Sequence, residues 1–253
     1  MTKVDWSNNL SVFDYQYRVD NTEFIERLGG LVDFVVGKKV AEIGTGHGAL
    51  SICMAELGAQ SVVGFEIFEK IVNSSNDNLA RFSHIRDKVE FRCQEFGVDG
   101  EPFDVVVSKD TFEHVSNLRE LMLAIKSRLP VGGVLVVGFS PLYYSPNGDH
   151  KRFLGNFSFP WACALIPETV LLKLASWNHG RCIKSAFDVG LNKVTPAEFR
   201  ELIVEQGWVI KRIRYNAGRK YALKFMNRLR KIPFLEKYFT VSIYAVLERG
   251  AGL

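Results

Sequence analysis

Hydrophobic residues along the chain recur with two alternating spacings, one typical of helices and one of buried strands. Residues 22–36 place apolar side chains three and four positions apart, which predicts a helix that ends near Gly37. Further helices are predicted over residues 49–57, 67–82 and 118–129, the last capped by Ser116, and strands over 40–43, 61–65, 89–93, 103–107 and 134–139. This alternation favours an α/β fold with a doubly wound, mostly parallel sheet.

The C-terminal part repeats the alternation once more. Thr195, Pro196 and Glu198 have the spacing of a capping box with proline at the first helical position, which predicts a helix over 196–206. Residues 209–215 and 241–247 are then predicted as an antiparallel closing pair of strands. Between them lies the basic stretch 219–231, read as a solvated helix face with its apolar residues packed inward; contact with an acidic membrane surface or an anionic substrate is the lesser alternative.

Composition narrows the class of protein. The chain has 253 residues, 47% of them hydrophobic, and a net charge of +4, so it can bury a full core and its charge alone does not imply a nucleic-acid partner. No apolar run is long enough to span a membrane, and we expect a soluble, cytoplasmic protein without stable membrane insertion. Four scattered cysteines without a CxxC pair predict reduced, mostly buried thiols.

A glycine-rich segment follows the first predicted strand and indicates a ligand. Residues 40–50 read VAEIGTGHGAL, and a glycine-rich turn between strand and helix lets backbone N–H groups approach a bound molecule. Gly44, Gly46 and Ala49 satisfy the G-x-G-x-x-A spacing of dinucleotide-binding folds. The glycines alone therefore leave the ligand open.

Three neighbouring features narrow the choice. Glu42 precedes the first glycine and suits a ligand with a positive charge, while Gly48 extends the pattern to G-x-G-x-G. Glu66 ends the second predicted strand, where an acid accepts hydrogen bonds from a ribose. With the LPVGGVLVV turn before the fifth strand, residues 36–139 resemble the class I S-adenosylmethionine-dependent methyltransferases, including the ubiquinone-biosynthesis (type 11) group and bacterial members that modify glycans or metabolites.

The resemblance implies a set of cofactor contacts. It places Glu42 near the amino group of the methionine half and Glu66 on the ribose. It also brings Glu95 to the adenine amine, or Gln94 if the register slips by one. The complete predicted set is Glu42, Gly44, Thr45, Gly46, Gly48, Glu66, Ile67, Glu95, Phe96 and Ser108.

The segment SKDTFEHV after the fourth strand has two interpretations. The resemblance places Ser108 and Asp110 beside the methyl-donating end of the cofactor. On a helical start, Asp110, Glu113 and His114 would share one face and offer three ligands to a metal, as in the E-x-x-E-H of small-RNA and some quinone O-methyltransferases. A divalent metal is the less favoured alternative, because a fourth group would have to converge.

A long segment after the fifth strand is the predicted substrate lid. It is too long for a simple connection, and it resembles an insertion of bacterial methyltransferases encoded with cell-surface or secondary-metabolite glycan pathways. It contains His150, a candidate general base that Asp149 or Asp110 would orient or replace; the alternative is that His150 only holds the loop in place. His150, His114 and Asp110 form the predicted catalytic set. The lid aromatics are Tyr143, Tyr144, Phe153, Phe157, Phe159 and Trp161.

Together these features predict one Rossmann-like domain with a seven-stranded sheet. Its parts are a helical cap (1–36), a cofactor-binding core (37–140), a substrate-lid insertion (141–190), and a C-terminal helix with closing strands and the basic helix (191–253). The predicted activity is methyl transfer from S-adenosyl-L-methionine to a hydroxyl of a small-molecule or glycan acceptor, by a monomer or homodimer without nucleic acid. An NAD(P)-dependent oxidoreductase and a noncatalytic cofactor-binding module remain alternatives.

Overall fold

A seven-stranded sheet forms the centre of the computed structural model, which describes Asp5, residues 8–218 and residues 221–251. The strand order is β3-β2-β1-β4-β5-β7-β6; the first five strands are parallel, and β7 runs antiparallel to both β5 and β6. This confirms the predicted fold class and the antiparallel closing pair. The strands are β1 Lys39–Ile43, β2 Ser61–Glu66, β3 Val89–Cys93, β4 Val105–Lys109, β5 Val134–Phe139, β6 Trp208–Tyr215 and β7 Ile243–Arg249.

Helices cover both faces of the sheet. Alternate residues of a strand enter different cores: Val105 and Val107 pack on one face with α2, α4 and α5, whereas Val106 packs on the other with α6 and α9. Both faces of β4 are buried, which explains its uninterrupted apolar run. The helices are α1 Asn9–Tyr15, α2 Asn21–Leu28, α3 Val32–Val35, α4 Ala49–Glu56, α5 Glu69–Leu79, α6 Leu118–Arg128, α7 Ala162–Leu165, α8 Glu168–His179, α9 Pro196–Glu205, α10 Tyr221–Leu229 and α11 Glu236–Phe239.

Several element boundaries differ from the prediction. The single helix expected over 22–36 is broken, because Gly29 and Gly30 adopt φ values of 84° and 117° between α2 and α3. Asn117 rather than Ser116 caps α6, its side-chain oxygen accepting a hydrogen bond from the Glu120 N–H at 3.2 Å. The strands predicted at 103 and 241 begin two residues later.

The capping box at the start of α9 is confirmed. The Thr195 hydroxyl accepts a hydrogen bond from the Glu198 N–H at 3.2 Å, and the Glu198 carboxylate accepts one from the Thr195 N–H at 2.7 Å. Two N–H groups that the first helical turn leaves unpaired are thus satisfied by side chains. This fixes the direction of the chain as it enters α9, the helix that precedes the closing strands.

The basic stretch forms α10, but its apolar residues pack less than predicted. Arg219 and Lys220 lie outside the described residues. No residue of α10 is buried: Ala222 and Phe225, both expected inside, are exposed. The other three expected inward residues, Leu223, Met226 and Leu229, are half-buried.

Residues 141–190 form a small helical unit with a core of its own. It contains α7, α8 and two 3-10 turns, Gly155–Phe157 and Ala186–Val189. The expected aromatic lid is corrected here, because Tyr143 and Phe153 are buried in this separate core and Phe157 is 84% exposed. This core also includes Leu191, just beyond the unit, and its remaining residues are Cys163, Leu171, Ala175, Ile183, Ala186 and Val189.

All four cysteines are free thiols. Cys163 is buried and Cys53 is half-buried, whereas Cys93 and Cys182 are exposed. The expectation of mostly buried thiols is therefore wrong for two of the four, because local apolar composition does not determine which side of an element faces solvent.

Candidate active site

A cavity of about 1020 Å³ opens at the carboxyl ends of the parallel strands. Strand β1 pairs with β2 on one side and with β4 on the other, so the order of strands reverses beside β1. In open α/β sheets, ligands bind in the crevice at this reversal. The loops that follow β1, β2, β3 and β4 supply most of the cavity wall.

The glycine-rich loop after β1 presents bare backbone to the cavity. Gly44 and Thr45 donate their N–H groups to the Phe65 carbonyl at 2.9 and 3.1 Å, which anchors the loop to β2. Gly46 has a φ of 54°, and a Cβ added there would meet no heavy atom within 4 Å. Gly48, with a φ of 84°, instead caps α4 and faces the Phe91 ring. Gly46 is therefore the glycine that leaves room for a ligand.

Glu66 stands beside this loop at the end of β2. One carboxylate oxygen accepts a hydrogen bond from the Gly46 N–H at 3.2 Å. The other accepts from the N–H groups of Ile67 at 2.9 Å and Phe68 at 3.3 Å. These bonds fix the carboxylate at the cavity wall, where it can accept hydrogen bonds from a ligand diol.

Glu42 is a buried acid on the floor of the cavity. Its carboxylate accepts hydrogen bonds from the Thr45 hydroxyl at 3.0 Å and from the Ser51 hydroxyl. Burial raises the pKa of Glu42 to about 7, against the opposing effect of these hydrogen bonds. A positively charged ligand group beside Glu42 would stabilise its ionised form.

The loop after β3 closes the cavity on the β3 side. Gln94, Glu95 and Phe96 all line it. The Phe96 ring meets the Phe65 ring edge to face, with centroids 5.1 Å apart, and the Arg128 guanidinium lies 4.4 Å from its centroid. Because Gln94 and Glu95 both reach the wall, the predicted choice between them stays open.

Asp110 and His114 line the cavity after β4. Asp110 is reachable from the cavity, yet the protein around it removes enough water to raise its pKa to about 6. His114 Nδ1 lies 2.7 Å from the Gly190 carbonyl oxygen, so Nδ1 carries the proton and donates it. Burial lowers the pKa of His114 to about 4, which leaves Nε2 as a neutral acceptor near pH 7.

His150 lies one ring behind His114. Its Nε2 donates a hydrogen bond to the Pro141 carbonyl at 2.8 Å, and its ring meets the His114 ring edge to face. Among the described residues that line the cavity, the insertion contributes only Arg152 and Gly190, and none of its aromatic side chains. The structure thus places His114 at the cavity wall, whereas His150 lies outside the wall and contacts the His114 ring.

The predicted metal ligands do not converge. Residues 110–114 form a turn rather than a helix start, and Asp110 has a φ of 49°. Glu113 is buried away from the cavity and accepts a hydrogen bond from the Ser140 N–H at 3.1 Å. His114 uses Nδ1 on Gly190. Within the described part of the chain, no group of three His, Cys, Asp or Glu side chains is placed to hold a metal ion.

Comparison with known protein families shows to which family the chain belongs. The methyltransferase-domain profile matches residues 13–162, more than half of the chain. The chain belongs to this family. The match includes every strand whose loop reaches the cavity, which confirms the resemblance drawn from the glycine loop and Glu66.

Relatives of this methyltransferase-family chain differ in what they modify. It is 35% identical over 103 residues to the ribosomal protein L11 methyltransferase of Vibrio cholerae, covering 41% of this chain and 34% of that protein. It is 29% identical over 130 residues to the 27-O-demethylrifamycin SV methyltransferase of Amycolatopsis mediterranei, covering 50% of this chain and 47% of that protein. The chain therefore spans less than half the length of these curated relatives.

A solved structure shares the fold over nearly the whole chain. It is the magnesium protoporphyrin IX methyltransferase of Synechocystis with bound S-adenosylhomocysteine, which superposes with a TM-score of 0.56 at 18% identity. The superposition covers 99% of this chain and 90% of that one. At this identity the likeness establishes the fold alone.

Most of the predicted cofactor residues surround the cavity of this methyltransferase-family chain. Two do not: Gly48 lies under the loop, and the fully buried Ser108 donates to the Ile43 carbonyl at 3.1 Å. The sequence analysis also missed the N-terminal wall, formed by Gln16, Asp20 and Asn21. Lys109 binds both Asp20 and Asn21. The predicted residues that do line the cavity are Glu42, Gly44, Thr45, Gly46, Glu66, Ile67, Glu95 and Phe96.

Proposed function

We propose that this chain transfers the methyl group of S-adenosylmethionine to a hydroxyl of a small-molecule or glycan acceptor. The observation that carries the proposal is the bare backbone of Gly46 between two acids, Glu42 and Glu66, at the point where the strand order reverses. A nucleoside with an amino-acid tail fits this set, because its diol, its ammonium group and its compact chain each meet a suited partner.

Each part of the cavity would hold one part of the cofactor. Glu66 would accept a hydrogen bond from a ribose hydroxyl, since the three backbone bonds to its oxygens orient it and leave one acceptor position unused. Glu42 would stabilise the ammonium group of the methionine half. Glu95 or Gln94 would reach the adenine amine with Phe96 alongside. The Synechocystis relative binds S-adenosylhomocysteine in the same fold.

The acceptor end of the cavity carries the acid–base chemistry. S-adenosylmethionine, when bound, supplies an electrophilic methyl group on its sulfonium. His114 Nε2 would accept the proton of the attacking hydroxyl, because Nδ1 is already engaged with Gly190 and the ring is neutral. His150 would hold the His114 ring in place. Asp110 is the alternative base, since a pKa of about 6 leaves it mostly ionised near pH 7.

Two relatives favour oxygen as the methylated atom. The rifamycin relative and the ubiquinone biosynthesis relative of Roseobacter denitrificans, 30% identical over 100 residues, are both named for O-methylation of small molecules. The L11 relative is named for methylation of a protein. The cavity suits a small acceptor better than a folded protein, because Arg152 and Gly190 of the insertion and Asp20 and Asn21 of the N-terminal segment wall part of it. We further propose a cytoplasmic monomer or homodimer that needs no nucleic acid.

Methyl transfer from labelled S-adenosylmethionine tests the proposal. Bacterial small-molecule extracts, fractionated from protein and nucleic acid, would be incubated with the purified chain and with its Gly46→Val variant. We expect label in a small-molecule product with the wild type only, and mass spectrometry should locate one added methyl on oxygen. Label confined to the protein fraction, or a methyl on nitrogen or carbon, would overturn the acceptor assignment; no label in any fraction would contradict the activity.

A further inference from the structure

The connection between β6 and β7 carries an excess of positive charge. Residues 216–240 contain seven Lys or Arg and one acid, Glu236. Glu236 is already paired with Arg200 at 2.6 Å and Arg230 at 2.8 Å. The remaining cations of this connection therefore have no acid within it to neutralise them.

Two exposed stripes run along α10 within this connection. Tyr221 and Phe225, four residues apart, are 87% and 60% exposed. Lys224 and Arg228, four residues apart, form an adjacent stripe, and the exposed Lys231 follows two residues after the end of the helix. Among the described residues, none of these three cations has a carboxylate partner. Half-buried apolar residues on the inner side attach the helix to the protein.

The aromatic stripe continues beyond the end of α10. Ile232 is 39% exposed, and Phe234, in the 3-10 turn Pro233–Leu235, is 73% exposed. Large apolar side chains flanked by cations are typical of helices that lie in the boundary between lipid headgroups and acyl chains. An acidic protein partner would meet the same charges, and capture of such a partner without vesicle binding would distinguish it from a lipid surface.

The connection lies at the same end of the sheet as the cavity. Tyr215 at the end of β6 pairs with Ile243 at the start of β7, and Ile243 pairs with Phe139 at the carboxyl end of β5. Trp161 of the insertion donates its indole N–H to the Tyr238 carbonyl at 2.7 Å. The connection and the insertion are thus joined beside the cavity.

We propose that this exposed face, defined by Tyr221, Lys224, Phe225, Arg228, Lys231, Ile232 and Phe234, docks on an anionic phospholipid surface. The cations meet the headgroup charge and the aromatic rings enter the headgroup boundary. Docking turns the cavity end of the sheet toward the lipid, which suits an amphiphilic acceptor held at that surface. The proposal does not depend on the cofactor assignment.

The binding is peripheral. Within residues 8–218 and 221–251, no helix is long and apolar enough to cross a membrane. Charge attraction to lipid is screened by salt, whereas burial of aromatic rings is not. Binding should therefore weaken, but not vanish, as the salt concentration rises.

Vesicle sedimentation tests the docking face. Wild-type protein would be mixed with phosphatidylglycerol–phosphatidylcholine vesicles and with pure phosphatidylcholine vesicles. We expect stronger binding to the anionic than to the neutral vesicles, and a loss of at least about tenfold in partitioning to the anionic vesicles when Lys224, Arg228 and Lys231 are all changed to Glu. The matched control reverses Lys38, Arg86 and Lys88, three exposed cations at the amino ends of β1 and β3, and should bind as the wild type does.

The apolar stripe has its own variants. Phe225→Ser with Phe234→Ser should lower binding at high salt, whereas Val131→Ser with Val204→Ser, exposed apolar residues elsewhere, should not. Circular dichroism spectra and melting temperatures equal to those of the wild type would show that the docking variants are folded. Failure of the wild type to bind anionic vesicles, or equal losses in the docking and control variants, would overturn the proposal; capture of an acidic protein without vesicle binding would do the same.

Discussion

The imidazole rings of His114 and His150 meet edge to face, with centroids 5.2 Å apart. Each ring gives an N–H to a backbone carbonyl, His114 to Gly190 and His150 to Pro141. Burial lowers the pKa of both, so both are neutral near pH 7. Only His114 lines the cavity. The pair therefore divides into a ring that can touch an acceptor and a ring that positions it.

Replacing the two histidines separately tests this division. His114→Ala should lower kcat by about a hundredfold or more, because a positioned base is worth roughly that much, and should leave S-adenosylhomocysteine affinity unchanged. His150→Ala should lower kcat by a smaller factor than His114→Ala does, and it should also raise KM. His84→Ala, at an exposed histidine far from the cavity, serves as the control. A fully active His114→Ala enzyme with an inactive His150→Ala enzyme would reverse the two roles.

The pH profile separates His114 from Asp110. With a pKa of about 4, His114 is already neutral at pH 6, so a reaction that uses it should show a flat rate from about pH 6 to 8. If Asp110 takes the proton, the rate should rise through its pKa of about 6, and Asp110→Asn should remove that rise. We expect the flat profile. Turnover lost in EDTA and restored by divalent ions would instead favour the metal interpretation of Asp110, Glu113 and His114.

Glu66 should dominate the ribose contact. Loss of a charge-assisted hydrogen bond costs about 1.5–3 kcal/mol, so Glu66→Ala should raise the S-adenosylhomocysteine dissociation constant at least about tenfold. Part of this loss comes through Gly46, whose N–H also loses its acceptor. Glu69→Ala, an exposed acid in the first turn of α5, is the matched control. A change of less than about twofold in calorimetry would show that the ribose is bound elsewhere.

Glu113 makes the stability of the protein depend on pH. Burial, reinforced by Asp110, raises its pKa above the ordinary value of 4.5, and its second carboxylate oxygen has no hydrogen-bond partner. A raised carboxyl pKa gives stability that is complete below about pH 4.5 and is lost as the pH rises toward the folded-state pKa.

Glu113→Gln removes this titration. The variant should melt a few degrees above the wild type at pH 8, since about 1 kcal/mol corresponds to roughly 2–4 °C in a domain of this size, and close to it at pH 4.5. Glu201→Gln, at an exposed acid of α9, should show no such difference. A melting difference that does not grow with pH would mean that Glu113 ionises normally.

The elements that position the cofactor end could be predicted because their signals are local. The apolar runs of β1 and β2, the glycines after β1 and the acid at Glu66 all lie within 27 residues of chain. The Thr195 capping box is equally local, and its geometry follows from side chains three residues apart.

The acceptor end could not be predicted in the same way because its contacts join distant segments. Asp20 forms an ion pair with Lys109, and His114 forms a hydrogen bond with the Gly190 carbonyl. No spacing pattern in the sequence predicts either contact. The sequence predicts that the aromatic residues of 141–190 face a ligand. Composition alone does not distinguish side chains that line a ligand cavity from side chains that form a separate hydrophobic core. For the same reason the sequence does not indicate which of His150 and His114 lines the cavity.

The most direct test of the account is calorimetric titration with S-adenosylhomocysteine and, separately, with NAD. We predict one S-adenosylhomocysteine site per chain and no NAD binding. Gly46→Val should abolish the binding, because its side chain would fill the open space above the loop, whereas Gly132→Val, also at positive φ with open space but at the amino end of β5, should retain it. Unchanged affinity in Gly46→Val, or binding of NAD in place of S-adenosylhomocysteine, would contradict the account.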